Sequence, residues 1–240
     1  MEIRPSLFKF KQFHVDQTDA GMKINTDGVL LGALASHAAP GRILDIGSGT
    51  GVIAMMMAQR FPEAIIDAVE KDKWAAQLSE KNFKNSVFSE RIHAYCTVFQ
   101  EFAPLATYDL IVSNPPFFLN ALQSPNERKS VARHTDESFY EELIKKAFNW
   151  LNEEGELQVV LPPDISAYIQ RYANKLGGLR LVKMVYLKSF ENSEPFRHVV
   201  SLRKNGTAKR TEEMAFTIYQ EKGVYSTAYK ELLKPFFVKF

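Results

Sequence analysis

The stretch that most limits what this chain can fold into is Arg42 to Gly51, R-I-L-D-I-G-S-G-T-G. An apolar run (Ile43, Leu44, Ile46) ends in three glycines at alternate positions, Gly47, Gly49 and Gly51, and a helix-compatible segment from Val52 to Arg60 follows at once. That order reads as strand, glycine loop, helix. Three glycines within five residues are called for where backbone takes dihedrals that side chains resist, or where a ligand comes close to the main chain.

A loop built to cradle phosphate would carry other spacings. This one reads G-x-G-x-G rather than G-x-G-x-x-G, and no G-K-[ST] follows. Two acids stand near it: Asp45 on the strand, and Glu70 at the end of the next apolar run, Ile65, Ile66, Ala68, Val69. In a βαβ unit both face the loop. Glu70 suits a ribose diol, while Asp45 either anchors loop amides or, through water, faces a cationic ligand. A nucleoside with a positively charged tail and no phosphate describes S-adenosylmethionine, with S-adenosylhomocysteine as product. D-I-G-S-G-T-G followed by that acid resembles the first two motifs of the class I methyltransferases.

From Arg42 onward apolar strand-like runs alternate with helical patterns, which predicts a parallel, doubly wound α/β sheet. Strands are expected near 42–46, 65–69, 92–95, 109–113 and 155–161, with further strands near 179–187, 197–203 and 214–219. Helices are expected near 52–60, 73–83, 139–151 and 164–175. The resemblance implies a Rossmann-like, mostly parallel sheet closing at seven strands. Ahead of it, Phe8, Phe10 and the Lys9, Lys11 pair alternate as in an N-terminal strand or hairpin. Thr26 and Asp27 precede Gly28 and the apolar run to Leu34, and serve either as a helix cap or as groups against the ligand. Residues 118–138 form a polar stretch too long for a plain connector, expected as a substrate loop. Lys204 to Glu213 reads as a polar hairpin loop.

A length of 240 residues suits one large domain, 1–240, with residues 1–35 as an extension packed at the cofactor site. Cys96 is the sole cysteine, so neither an internal disulfide nor a cysteine-based metal site is expected, and the five histidines are scattered. No run approaches the roughly 20 apolar residues of a membrane span, and M-E-I-R-P-S lacks a signal-peptide core. A cytoplasmic protein with no membrane contact and no obligatory protein partner is expected.

The second chemical motif follows the strand Y-D-L-I-V-S: Asn114, Pro115, Pro116, Phe117. Two prolines fix an extended turn at the C-terminal end of a core strand, where α/β sites lie. An Asn side-chain oxygen and the next carbonyl can both accept hydrogen bonds from a planar amine, and the aromatic ring offers a stacking face. N-P-P-[FY] resembles the motif of amino methyltransferases acting on adenine N6, cytosine N4, guanine N2 or a glutamine amide.

The resemblance extends over nearly the whole chain. F-K-Q-F-H-V-D-Q at 10–17, M-K-I-N-T-D-G-V-L-L-G at 22–32, R-H-T at 133–135 and Y-S-T-A-Y at 225–229 resemble the bacterial tRNA valine adenine N6-methyltransferase family. This implies methylation of the adenine 3′ of the anticodon. It also implies that Gly47 and Gly49 line the methionine portion of the cofactor, Glu70 holds its ribose, and Asn114 to Phe117 hold the target adenine. Where the family usually has an Asp after the third strand, this chain reads Y-C-T-V-F, placing Thr97 or Val98 against the cofactor's adenine. Net charge is only +2, but basic residues gather at Lys9 and Lys11, at Arg128, Lys129, Arg133 and His134, and at Arg197 and His198. Lys9, Lys11 and the 128–134 group are expected to meet tRNA phosphates. Guanine N2 in RNA or a protein glutamine amide is the alternative acceptor on the same fold.

Overall fold

The computed structural model describes residues 6–116, 128–206 and 210–240, and only the backbone of 128–136. A short antiparallel hairpin, β1 (Leu7–Lys9) and β2 (His14–Asp16), leads into α1 (Thr26–Leu34). Then come β3 (Arg42–Ile46), α2 (Val52–Arg60), β4 (Ile65–Glu70), α3 (Lys73–Lys84), β5 (Ile92–Cys96) and β6 (Tyr108–Ser113). The chain continues through α4 (Arg128–Trp150), β7 (Leu151–Leu161), α5 (Pro163–Leu176), β8 (Leu179–Lys188) and β9 (Pro195–Lys204). It closes with β10 (Glu212–Thr217), the two-stranded β11 (Tyr219–Glu221) and β12 (Val224–Tyr225), and α6 (Thr227–Leu233).

The central sheet has eight strands in the order β10-β8-β9-β7-β6-β3-β4-β5. All neighbours are parallel except those of β9, which runs antiparallel to both β7 and β8. Seven of these strands close the expected sheet, and β10 extends it by one, pairing with β8 in parallel. Because β8 separates β9 from β10, these two strands are not hairpin partners, which corrects the reading of Lys204 to Glu213 as a hairpin loop.

Strand side chains alternate between the two faces. Ile43 packs with α1 and α2, among Leu30, Leu31 and Met55 to Met57, whereas Leu44 and Ile46 pack with α4 and α5, among Tyr140, Leu143 and Ile169. Helix α1 seats on α2 so closely that a Cβ at Gly32 would come within 2.7 Å of the Met56 sulfur. Its cap is Asn25, whose side chain accepts from the Gly28 amide, rather than Thr26 or Asp27, which lie inside the first turn. Helix α4 begins at Arg128, so the part of the expected 118–138 loop that the structure describes is helical; residues 117–127 lie outside the described residues. Among the described residues no helix is long and apolar enough to cross a membrane.

Candidate active site

Ligands of open α/β sheets bind at the C-terminal ends of the strands. Beyond the ends of β3, β4, β5 and β6 lies a cavity of about 350 Å³. Gly47 and Gly49 line it from the glycine loop, Glu70 and Asp72 from the end of β4, Thr97, Val98 and Phe99 from after β5, and Ser113 to Pro116 from the end of β6. Ala20 to Met22 and Phe139 complete the wall.

Gly47 and Gly49 have φ of 75° and 54°, and a Cβ at either would meet no atom within 4 Å. Backbone conformation alone demands glycine there, and the space above the loop stays free for a ligand. Gly51 serves differently. It too has positive φ (82°), but it does not line the cavity, and a Cβ on it would stand 2.3 Å from the Phe83 ring. This third glycine seats α2 against α3.

The Glu70 carboxylate accepts from the Gly49 amide through one oxygen and from the Asp72 amide through the other, both at 2.9 Å. It thus ties β4 to the loop while each oxygen keeps a lone pair for a ligand hydroxyl. Asp45 lies behind the loop, fully buried, and does not line the cavity. One oxygen accepts from the Ala54 amide at 3.1 Å, in the first turn of α2, and the other is buried without a hydrogen-bond partner. Burial, only partly offset by that amide and reinforced by the charge on Glu70, pushes the Asp45 carboxyl up to about 7.

A second cavity, about 630 Å³, adjoins the first and shares Met22, Asn114, Pro115 and Pro116 with it. Its other walls include Asn25, Thr26, Asp27, Phe196, Arg197 and Tyr219. Thr26 and Asp27 therefore stand on this side of Asn114, not against the first cavity, which corrects their expected place at the cofactor. Arg197 Nε donates to Asp27 at 2.8 Å, bridging α1 and β9. His198, its neighbour, does not line this cavity and packs edge-on against Tyr186.

Asn114 separates the two cavities, and its orientation is set by a residue the sequence did not single out. Asn25 Oδ1 accepts from the Gly28 amide at 2.8 Å, which fixes it as the oxygen, and Asn114 Nδ2 faces that oxygen at 3.4 Å. The amide nitrogen of Asn114 being turned to Asn25, its Oδ1 is left as a buried acceptor with no partner. An unsatisfied buried acceptor costs free energy, and a donor brought to Asn114 Oδ1 would remove that cost.

Of the expected substrate contacts, Lys11 is engaged elsewhere: its ammonium donates to the main-chain oxygens of Lys234 (2.6 Å) and Phe240 (2.8 Å). Lys9 lines a third cavity, beside the second. Arg128, Lys129, Arg133 and His134 fall on the first turns of α4, where only backbone is described, and Phe117 lies outside the described residues.

S-adenosylmethionine fits the first cavity's donor and acceptor set. Among the described lining residues Glu70 and Asp72 are acidic and Lys71 alone is basic, a balance that suits a cationic ligand and not a phosphate. The cavity walls are otherwise mostly apolar, as Ile46, Val69 and Val98 illustrate.

Comparison with known proteins agrees with this geometry. Residues 13–183 match the Methyltransferase small domain. A tRNA1(Val) (adenine(37)-N6)-methyltransferase from Pedobacter heparinus is 46% identical over 233 residues, covering 97% of this chain and 98% of the relative. Another of that name from Dyadobacter fermentans is 37% identical over 241 residues, covering 99% of each chain. In fold, a predicted O-methyltransferase from Agrobacterium tumefaciens superposes with a TM-score of 0.68 at 20% identity, covering 88% of this chain and 96% of that one. A family-model match over most of the chain, with near full-length relatives well above 30% identity, places this protein in the tRNA1(Val) (adenine(37)-N6)-methyltransferase family.

Proposed function

We propose that this protein methylates the exocyclic N6 amine of an adenine in tRNA, adenine 37 of a valine tRNA, using S-adenosylmethionine. The observation that carries the reading is the buried, unpartnered Oδ1 of Asn114, held between two adjoining cavities by Asn25. Near full-length relatives bearing that name support the choice of acceptor.

When bound, S-adenosylmethionine supplies a methyl group on a sulfonium. Glu70 would hold its ribose, Gly47 and Gly49 would flank its methionine portion, and Thr97, Val98 and Gln100 would meet its adenine. Gln100 stands on that wall, which lacks the family's usual Asp. On the acceptor side, Asn114 Oδ1 and the Pro115 carbonyl accept the two N–H groups of the target amine. Those bonds favour localisation of a nitrogen lone pair that is otherwise delocalised into the ring. Asn114 is asked to accept hydrogen bonds and not a proton, since the nitrogen becomes acidic only as it gains positive charge. Phe117 supplies the stacking face for the base. A loop adenine suits such a site, because an unpaired base is turned out of its strand at low cost.

The test is to incubate the protein with labelled S-adenosylmethionine and total RNA from a strain lacking the gene, then identify the labelled nucleoside by mass spectrometry. N6-methyladenosine confined to one tRNA is the expected result. N2-methylguanosine would move the protein to the rival acceptor, and label only on added protein would overturn the RNA reading.

A further inference from the structure

The third cavity, of about 420 Å³, has no part in the chemistry above. It shares Asn25 and Thr26 with the acceptor cavity, so the two lie on either side of one short stretch of chain. Its walls are aromatic. Phe8 and Phe237 pack at 5.8 Å, Phe237 and Phe240 at 5.8 Å, and Tyr225 stacks on Tyr229 at 4.6 Å with planes 10° apart. The same stack continues to Tyr219, 5.2 Å from Tyr225, and Tyr219 lines the acceptor cavity. A run of near-parallel rings therefore leads from one cavity to the other. The charged side chains among its described lining residues are Lys9 and Lys239, both exposed, and no acidic side chain lines it. Val238, 65% exposed, adds an apolar lip.

Aromatic walls with cations at the rim suit a flat, apolar-faced ligand that carries negative charge at its edge. Continuity with the acceptor cavity narrows the choice to the same RNA. We propose that this cavity takes the base of a second, unpaired nucleotide, next to the one whose amine Asn114 holds, with Lys9 and Lys239 on the adjoining phosphate. The proposal rests on the RNA reading above. Loop nucleotides can be splayed apart and stacked on aromatic side chains in this way, and each stacked base adds binding without base-edge readout.

The experiment uses the full chain and an anticodon stem-loop RNA in three forms: intact, abasic one nucleotide 5′ of the target, and abasic one nucleotide 3′ of it. One of the abasic RNAs should show KM raised by about five- to a hundred-fold with kcat nearly unchanged, the range that stacking one base is worth. In Val238→Glu, which places a carboxylate at the lip, the intact RNA should show the higher KM and removing that same base should no longer matter. Calorimetry of S-adenosylmethionine binding by Val238→Glu checks that the variant is folded. Equal KM for all three RNAs with wild type, or an undiminished abasic penalty in Val238→Glu, would overturn the inference while leaving the methylation reading intact. Failure to methylate the intact RNA would overturn both. A wild-type dimer in sedimentation that Val238→Glu dissociates would assign the cavity to a second copy of the chain and overturn the proposal.

Discussion

Two buried acids on neighbouring strands, Asp67 of β4 and Asp45 of β3, have opposite surroundings. Both oxygens of Asp67 are answered: Arg42 and Tyr108 donate to one at 2.8 and 2.7 Å, and Tyr95 donates to the other at 3.3 Å. Asp45 has one backbone amide, an unanswered oxygen, and the charge of Glu70 nearby. Asp67 pins β4 to three other strands, β3, β5 and β6, whereas Asp45 sits behind the glycine loop, where the surroundings resist its charge. Asn114, with its own unanswered oxygen, belongs with Asp45. Asp67 is saturated where it joins strands of the sheet, whereas the Asp45 carboxyl behind the glycine loop and the Asn114 amide between the cavities each keep one unanswered oxygen.

The sharpest way to break that contrast is Asp67→Ala, which leaves Arg42 beside two tyrosines without its counterion. A loss of about 3 kcal/mol in urea unfolding is expected, the low end for a broken buried pair because Arg42 is partly exposed. Cofactor affinity of the folded fraction should not change. Asn114→Ala should do the reverse, leaving unfolding and cofactor affinity near wild type while kcat falls by about 10² to 10³, the scale for a preorganised polar partner. A smaller effect is expected at Asn25. Asn25→Ser keeps a helix cap but loses reach to Asn114, so kcat should fall roughly tenfold with stability preserved. Asn25→Asp, which keeps both reach and acceptor, should restore it. If serine and aspartate behave alike, Asn25 is only a cap.

A last test follows Asp45 by pH. Asp45 titrates higher in the folded protein than in the unfolded chain, so the folded state binds more protons between the ordinary carboxylate range and about pH 7. Its contribution to stability therefore declines as pH rises through that window and levels off above it. Asp45→Asn, which mimics the protonated acid, should flatten that decline when unfolding is followed from pH 5 to pH 8. Parallel curves for the two proteins would show that Asp45 is ionised throughout.

Local pattern made the strand and glycine loop at 42–51 and the N-P-P turn at 114–116 legible, because each confines its signal to a few adjacent residues. Glu70 could be placed because one helix separates it from the loop. Asn25 and Arg197 are another matter. They reach the same cavity from distant parts of the chain, and only the sheet order brings them together. Nothing around Lys11 shows that main-chain oxygens of residues 234 and 240 will take its charge. The first turns of α4 were hidden for a physical reason: R-K-S-V-A-R-H-T-D-E-S has the polarity of a loop. Yet no glycine or proline interrupts it before Trp150, and a helix already formed by its buried half extends at little cost.

The placement of β9 bears on how the protein is made. Chains fold as they leave the ribosome, N-terminal part first. Strand β8 has no sheet neighbours except β9 and β10, and β7 meets β6 on one side and β9 on the other. Until residues 195–204 are synthesised, β7 presents a bare edge and β8 has nothing to pair with. Bare edges recruit other strands and lead to aggregation. A nascent chain that stalls between β7 and β9 would carry the glycine loop and Asn114 yet expose an adhesive sheet edge, the kind of surface that chaperones exist to shield.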